Sequence, residues 1–420
     1  MSSPPREANP RWKVILASLS LVVAGSVWVS GLVGSLSRPS VNPALSLQQQ
    51  ELSVLAEPAV PETLRPLLLG EDPRQVLLDS LDQSPALQLN ERQSLLLTLL
   101  KGEEPDADGQ ASVPGDPLLD QLLCEKRLSD ASACIDQSAA DAAFWRLAFS
   151  GLLPLGSALL GCAFLLIQGW RLFRGTARPW PAVKGPALTL IDMALLVAGG
   201  FVVISALGVP LVAVPLTAAL TAGLASPRRE AVSVVISYSV MALPSLLILL
   251  RQLKALPATQ LPPGGWMQWR PRPFGSAIGS ALAGWFMVTP VVMLTGWLLV
   301  RLLGDPSGSN PLLELVLASR DPLALALLAF TAVILAPLFE EIIFRGALLP
   351  VLARRLGSSW GVLLSALFFA MAHISLGELA PLTVLGIGLA LLRLSSGRLL
   401  PSVLMHALWN AVTFLNLLLL

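Results

Sequence analysis

The side chains best suited to acid–base chemistry in apolar surroundings crowd into the last quarter of this 420-residue chain. In LAPLFEEIIFRGALLP, which starts at Leu335, Glu340 and Glu341 stand together at the end of an apolar run, and Arg345 follows four residues after Glu341. Helical spacing puts Glu341 and Arg345 on one face, where they can pair, and turns Glu340 about 100° away toward another neighbour. The chain has only two histidines, His373 in FFAMAHISLG and His406 in PSVLMHALWNAV. Asn410 follows His406 by one helical turn, so the imidazole and the carboxamide share a face.

Brought together, Glu340, His373, His406 and Asn410 would supply a carboxylate able to take a proton from water and an imidazole to assist it. They would also supply donors for the oxyanion of a tetrahedral intermediate, which makes a hydrolase site. Glu340, His373 and His406 could equally bind zinc with an open position for water, although HExxH spacing is absent. A metal-bound and a glutamate-activated water both stand at this stage. The bland alternatives are a membrane-interface cap for EExxxR, with the arginine snorkelling to water, and packing histidines that donate to backbone carbonyls. A proton-coupled transporter would use the same residue types, but no inverted repeat is evident.

The elements that must position these residues are membrane helices. With 54% hydrophobic residues, 13% charged residues and a mean hydropathy of +0.70, the chain is too apolar for a soluble globule. Apolar runs lie at about 15–33, 148–168, 187–225, 231–250, 276–300, 322–344, 360–374, 380–392 and 399–420. A bilayer core needs about 20 such residues per helix, so the fold class is all-α, a polytopic transmembrane bundle of about 8–10 spans. Pro210 and Pro215 either divide the 187–225 run into two spans or kink one. Arg6, Arg11 and Lys13 precede the first run, which reads as an uncleaved signal anchor with a cytoplasmic N-terminus at 1–14. Arg171, Arg174, Arg178 and Lys184 place the loop after the second run on the same side. Arg228 and Arg229 compete for that side with Arg251, Lys254, Arg270 and Arg272, and the larger cluster is preferred. Trp145, Trp170, Trp269 and Trp360 near run ends fit an interfacial belt.

Between the first two runs, residues 35–143 hold 7 Lys/Arg against 18 Asp/Glu, a net charge of −11. This segment is expected to be an extracytoplasmic insertion of short helices, with leucine clusters at Leu67–Leu69, Leu95–Leu100 and Leu118–Leu123. Asn90 and Gln93 form a capping-box signal, and residues 102–116 read as an acidic linker. Cys124 and Cys134 would bridge if the segment faces an oxidising compartment, while Cys162 lies in an apolar run and reads as packing. The net charge of +1 argues against a nucleic-acid partner, and no phosphate-cradling glycine loop points to a nucleotide.

The three motifs resemble those of the CAAX-protease and bacteriocin-processing family of intramembrane endopeptidases. Its EExxxR looks like Glu340, Glu341 and Arg345, its FxxxH like Phe369 and His373, and its HxxxN like His406 and Asn410. The flanks RGALLP, the Gly-to-Ser-to-Ala run from Gly361 and GRLLPSVLMHALWN are similar too. The resemblance covers about 320–420, with the spans from about 276 completing a core at 276–420. Residues 144–275 are additional spans and basic loops.

The resemblance implies that Glu340 activates water with His373, that His406 and Asn410 support the oxyanion, and that Glu341 and Arg345 hold Glu340 in place. It leaves zinc open. The implied substrate is a membrane-associated protein or peptide, cut at or near the cytoplasmic side of a bacterial inner membrane, or of a thylakoid or plasma membrane if the source is cyanobacterial. The alternative from another class is a non-catalytic scaffold or immunity-type binding protein, in which the polar cluster only locks helices together.

Overall fold

A computed structural model describes residues 10–38, 40–70, 72–83, 89–104, 115–128, 132–177, 179–304 and 311–420. Arg6, Arg178 and most of the expected 102–116 linker lie outside the described residues. Among the described residues the secondary structure is helical, with no strand.

The helices are α1 (Arg11–Leu36), α2 (Asn42–Ala56), α3 (Pro73–Asp82), α4 (Glu91–Leu100), α5 (Pro117–Leu128) and α6 (Gln137–Phe173). They continue as α7 (Leu190–Leu220), α8 (Arg228–Lys254), α9 (Phe274–Leu303), α10 (Pro311–Ala318) and α11 (Pro322–Leu356). The last are α12 (Ser358–Met371), α13 (Leu376–Ser396) and α14 (Leu400–Leu419). Eight of these, α1, α6, α7, α8, α9, α11, α13 and α14, are long and apolar enough to cross a membrane, so the chain is an integral membrane protein. Two compact units form: residues 41–155 with 418–420, and residues 1–40 with 156–417.

The smaller unit packs α2 to α5 through their leucines. Leu77, Leu81, Leu96 and Leu119 are fully buried, each contributing roughly 2 kcal/mol by leaving water. Asp72 caps α3 through Arg74 N and Gln75 N, and the Asn90–Gln93 capping box forms in both directions. Arg92 joins Glu51 and Asp116, Arg74 forks onto Glu125, and Cys124 is disulfide-bonded to Cys134. Burial raises the Glu125 carboxyl, but hydrogen bonds from Arg74 and Gln121 outweigh it and hold the group below its ordinary value.

In the larger unit the ambiguous proline-bearing run is one helix. α7 widens into π-helical turns at Leu195–Val203 and Val209–Ala213, and the second accommodates Pro210, whose missing N–H would break a regular α-ladder. The 360–374 run is not a full span. α12 has 14 residues, which reach only about 21 Å, so it falls short of a bilayer core. Polar contacts sort the helix ends. Lys13 pairs with Asp192 at 2.7 Å, Arg393 donates to Lys184 O at 2.9 Å, and Arg398 donates to Pro273 O at 3.2 Å, which gathers one basic end. At the N-terminal ends of α8 and α11, Arg228 pairs with Asp321 at 2.8 Å.

Small residues let the helices around the site approach closely, the usual device where lipid removes the hydrophobic drive. At Gly386 on α13, an added Cβ would lie 3.0 Å from Ala366 Cα on α12.

Candidate active site

Glu340, Glu341 and Arg345 stand near the middle of α11, on and just beyond a regular stretch, Ala336–Glu341, that lies between two π-helical turns. Such turns are frequent at functional sites because they re-aim side chains out of the 100° register. All three residues are buried. Arg345 Nη1 donates to Glu341 Oε1 at 2.8 Å and Nη2 to Gly386 O at 3.1 Å, while the guanidinium stacks 4.3 Å from the centre of the Phe369 ring. A buried guanidinium needs this compensation, since one left without a carboxylate costs several kcal/mol.

His406, buried on α14, meets both glutamates. Its Nδ1 lies 3.1 Å from Glu341 Oε1 and its Nε2 3.9 Å from Glu340 Oε2. A carboxylate only accepts, so the Glu341 contact places the proton on Nδ1 and turns Nε2 toward Glu340. Glu341 and Arg345 therefore secure His406 and α13, whereas Glu340 takes a different anchor, the Tyr238 hydroxyl of α8, which donates to its Oε1 at 3.0 Å. Glu340 Oε2 makes no hydrogen bond to protein.

Phe369 is the fully buried spacer between the two histidines, edge-to-face with His373 at 5.0 Å and with His406 at 5.4 Å. His373 does not stand on a helix. It falls in the turn after α12, where its Nδ1 donates to Phe369 O at 2.9 Å and leaves Nε2 as the other ring nitrogen. The next residue, Ile374, adopts φ +49°, which is costly for a β-branched side chain, and Arg38 Nη2 holds its carbonyl at 2.5 Å. Asn410 Nδ2 donates to Ala332 O at 2.7 Å, in the first π-helical turn of α11.

Among the described residues no three histidine, cysteine or acidic side chains are grouped so as to hold a metal ion. The residue that sequence reasoning missed is Tyr238. Its one signal was being the only tyrosine in the chain, set in an apolar run.

Residues 322–412 match the Rce1-like family, described as type II CAAX prenyl endopeptidase Rce1-like. The C-terminal region is therefore an Rce1-like domain, of the CAAX-protease family that the three motifs resemble. Residues 42–114 match a domain of unknown function, DUF8675. No curated protein and no solved structure matches the chain.

Proposed function

We propose that the protein is an intramembrane endopeptidase that hydrolyses a peptide bond of a membrane-associated protein or peptide, with Glu340 as the base that activates water. The observation that carries this reading is the pairing of Glu340 Oε2, free of protein hydrogen bonds, with His406 Nε2 at 3.9 Å. A water held between them would give its proton to Glu340 as it attacks the carbonyl. His406, whose Nδ1–H is held by the Glu341 carboxylate, can take up a proton at Nε2 and, as the imidazolium, donate from Nε2 to the developing oxyanion. His373 presents Nε2 beyond Phe369 and assists the water or the leaving amine. Asn410, bonded to Ala332 O, acts by setting α14 against α11 rather than by touching the oxyanion.

Glu340 lies roughly 25 Å from either end of the 35-residue α11 at 1.5 Å per residue. Because α11 is longer than a bilayer core, this position accords with a scissile bond cut at or near the cytoplasmic side of the membrane. The protein sits in a bacterial inner membrane with its basic helix ends cytoplasmic. Residues 35–143 then lie outside, a placement supported by their acidity and by the Cys124–Cys134 bridge.

The scaffold reading draws support from the same buried contacts, because Arg345 to Gly386 O and Asn410 to Ala332 O tie helices together whatever the chemistry. A quenched-fluorescent peptide library, offered to detergent-purified protein with and without a chelator, separates the two. Cleavage that survives the chelator supports glutamate-activated water. Absence of cleavage in every library, including one reconstituted in lipid, favours the scaffold.

A further inference from the structure

Two adjacent glutamates on α11 receive different partners. Glu341 is ion-paired to Arg345, while Glu340 is held by a neutral donor, the phenol of Tyr238. A neutral donor orients a carboxylate without ion-pairing it, so the group stays available as a base. The Tyr238 ring is itself fixed, packing edge-to-face on Phe339 at 6.0 Å and 89°.

Tyr238 stands on α8, outside the 322–412 region that holds every motif residue. Its hydroxyl lies 3.5 Å from Ala336 O as well, one turn before Glu340 on α11, so its contacts come from the packing of α8 on α11. The charged and titratable groups around Glu340 are Glu341 and Arg345 on its own helix, His406 on α14 and Tyr238 on α8, with His373 beyond Phe369. Among the described residues, Tyr238 alone hydrogen-bonds Glu340. With Oε1 anchored, Oε2 is the oxygen presented to His406 Nε2.

We infer that Tyr238 is a positioning residue of the active site, its hydroxyl holding Glu340 Oε1 so that Oε2 is aimed at the attacking water. The site thus extends beyond the Rce1-like domain, to a helix that this domain does not include. The catalytic consequence rests on the endopeptidase reading, whereas the contact itself does not.

Tyr238→Phe removes one oxygen and keeps the ring packing. It is expected to lower kcat about ten-fold with KM unchanged, the size of one hydrogen bond to a charged group. The loss should disappear in a Glu340→Asp background, where the shortened carboxylate is out of the hydroxyl's reach. A wild-type kcat for Tyr238→Phe, or an equal loss in both backgrounds, overturns the role. A second arm needs no activity. Because the chain has a single tyrosine, ¹³C-labelled tyrosine gives one label-sensitive C–O band in difference infrared spectra. That band should shift between wild type and Glu340→Ala. If wild type cleaves nothing, the endopeptidase reading fails by itself, and a band that stays in place overturns the contact independently.

Discussion

His406 Nδ1 and Arg345 Nη1 converge on one oxygen, Glu341 Oε1, at 3.1 and 2.8 Å. The second glutamate of EExxxR is therefore a structural counter-ion that serves two helices, and the first is the one left to react. Glu341→Gln is expected to leave Arg345 buried without a carboxylate and to destabilise the protein by about 3–5 kcal/mol. Thermal unfolding in detergent should show a lowered transition for Glu341→Gln and an unchanged one for Glu340→Gln. Equal transitions would mean that the two carboxylates share the load.

The turn that carries His373 depends on Arg38, which holds the carbonyl of the left-handed Ile374. Arg38→Ala should speed amide exchange across 372–377 and reduce kcat several-fold through misplacement of His373, since small displacements of catalytic groups are costly. Exchange indistinguishable from wild type would show that the turn holds its shape without Arg38.

Phe369 separates the histidines and faces the Arg345 guanidinium. Phe369→Ala should cost about 3–5 kcal/mol in stability, as expected for deletion of a buried aromatic ring. Phe369→Leu should stay folded but lose activity, because Leu cannot seat both imidazole edges. Circular dichroism melts and cleavage rates on the same preparations would decide this.

In the smaller unit, Glu125 is held below its ordinary value by Arg74 and Gln121 against the cost of burial. A depressed carboxyl contributes stability that is present above its unfolded value and is lost as pH falls through its folded value. Protection of amides in α3 and α5 should therefore decline on acidification below the ordinary glutamate range. Glu125→Gln should flatten that dependence and lower protection at neutral pH. An unchanged acid profile in Glu125→Gln would assign the dependence to other carboxylates.

Local spacing made part of this legible. The Glu341–Arg345 pair follows from an i, i+4 relation, and the Asn90–Gln93 capping box from residues three apart. The apolar runs marked the membrane helices, since hydropathy alone decides what can sit in lipid. What the sequence hid was non-local. Tyr238 reaches Glu340 across 102 positions, and Asn410 reaches Ala332 across 78, pairings that only the packing of α8 and α14 on α11 creates. The π-helical turns in α7 and α11 were equally hidden, because a widened turn uses the same apolar residues as a regular one. His373 was misplaced for a similar reason: its apolar run continues past the point where α12 ends.

The central claim is that Glu340 activates the water that cleaves a peptide bond. It is tested most directly by the cleavage rate of Glu340→Gln on a peptide that the wild-type protein cuts, with folding verified on the same sample. The account predicts a folded protein whose rate falls at least about a hundred-fold, the usual weight of a general base. A folded Glu340→Gln protein that cleaves at the wild-type rate would contradict it.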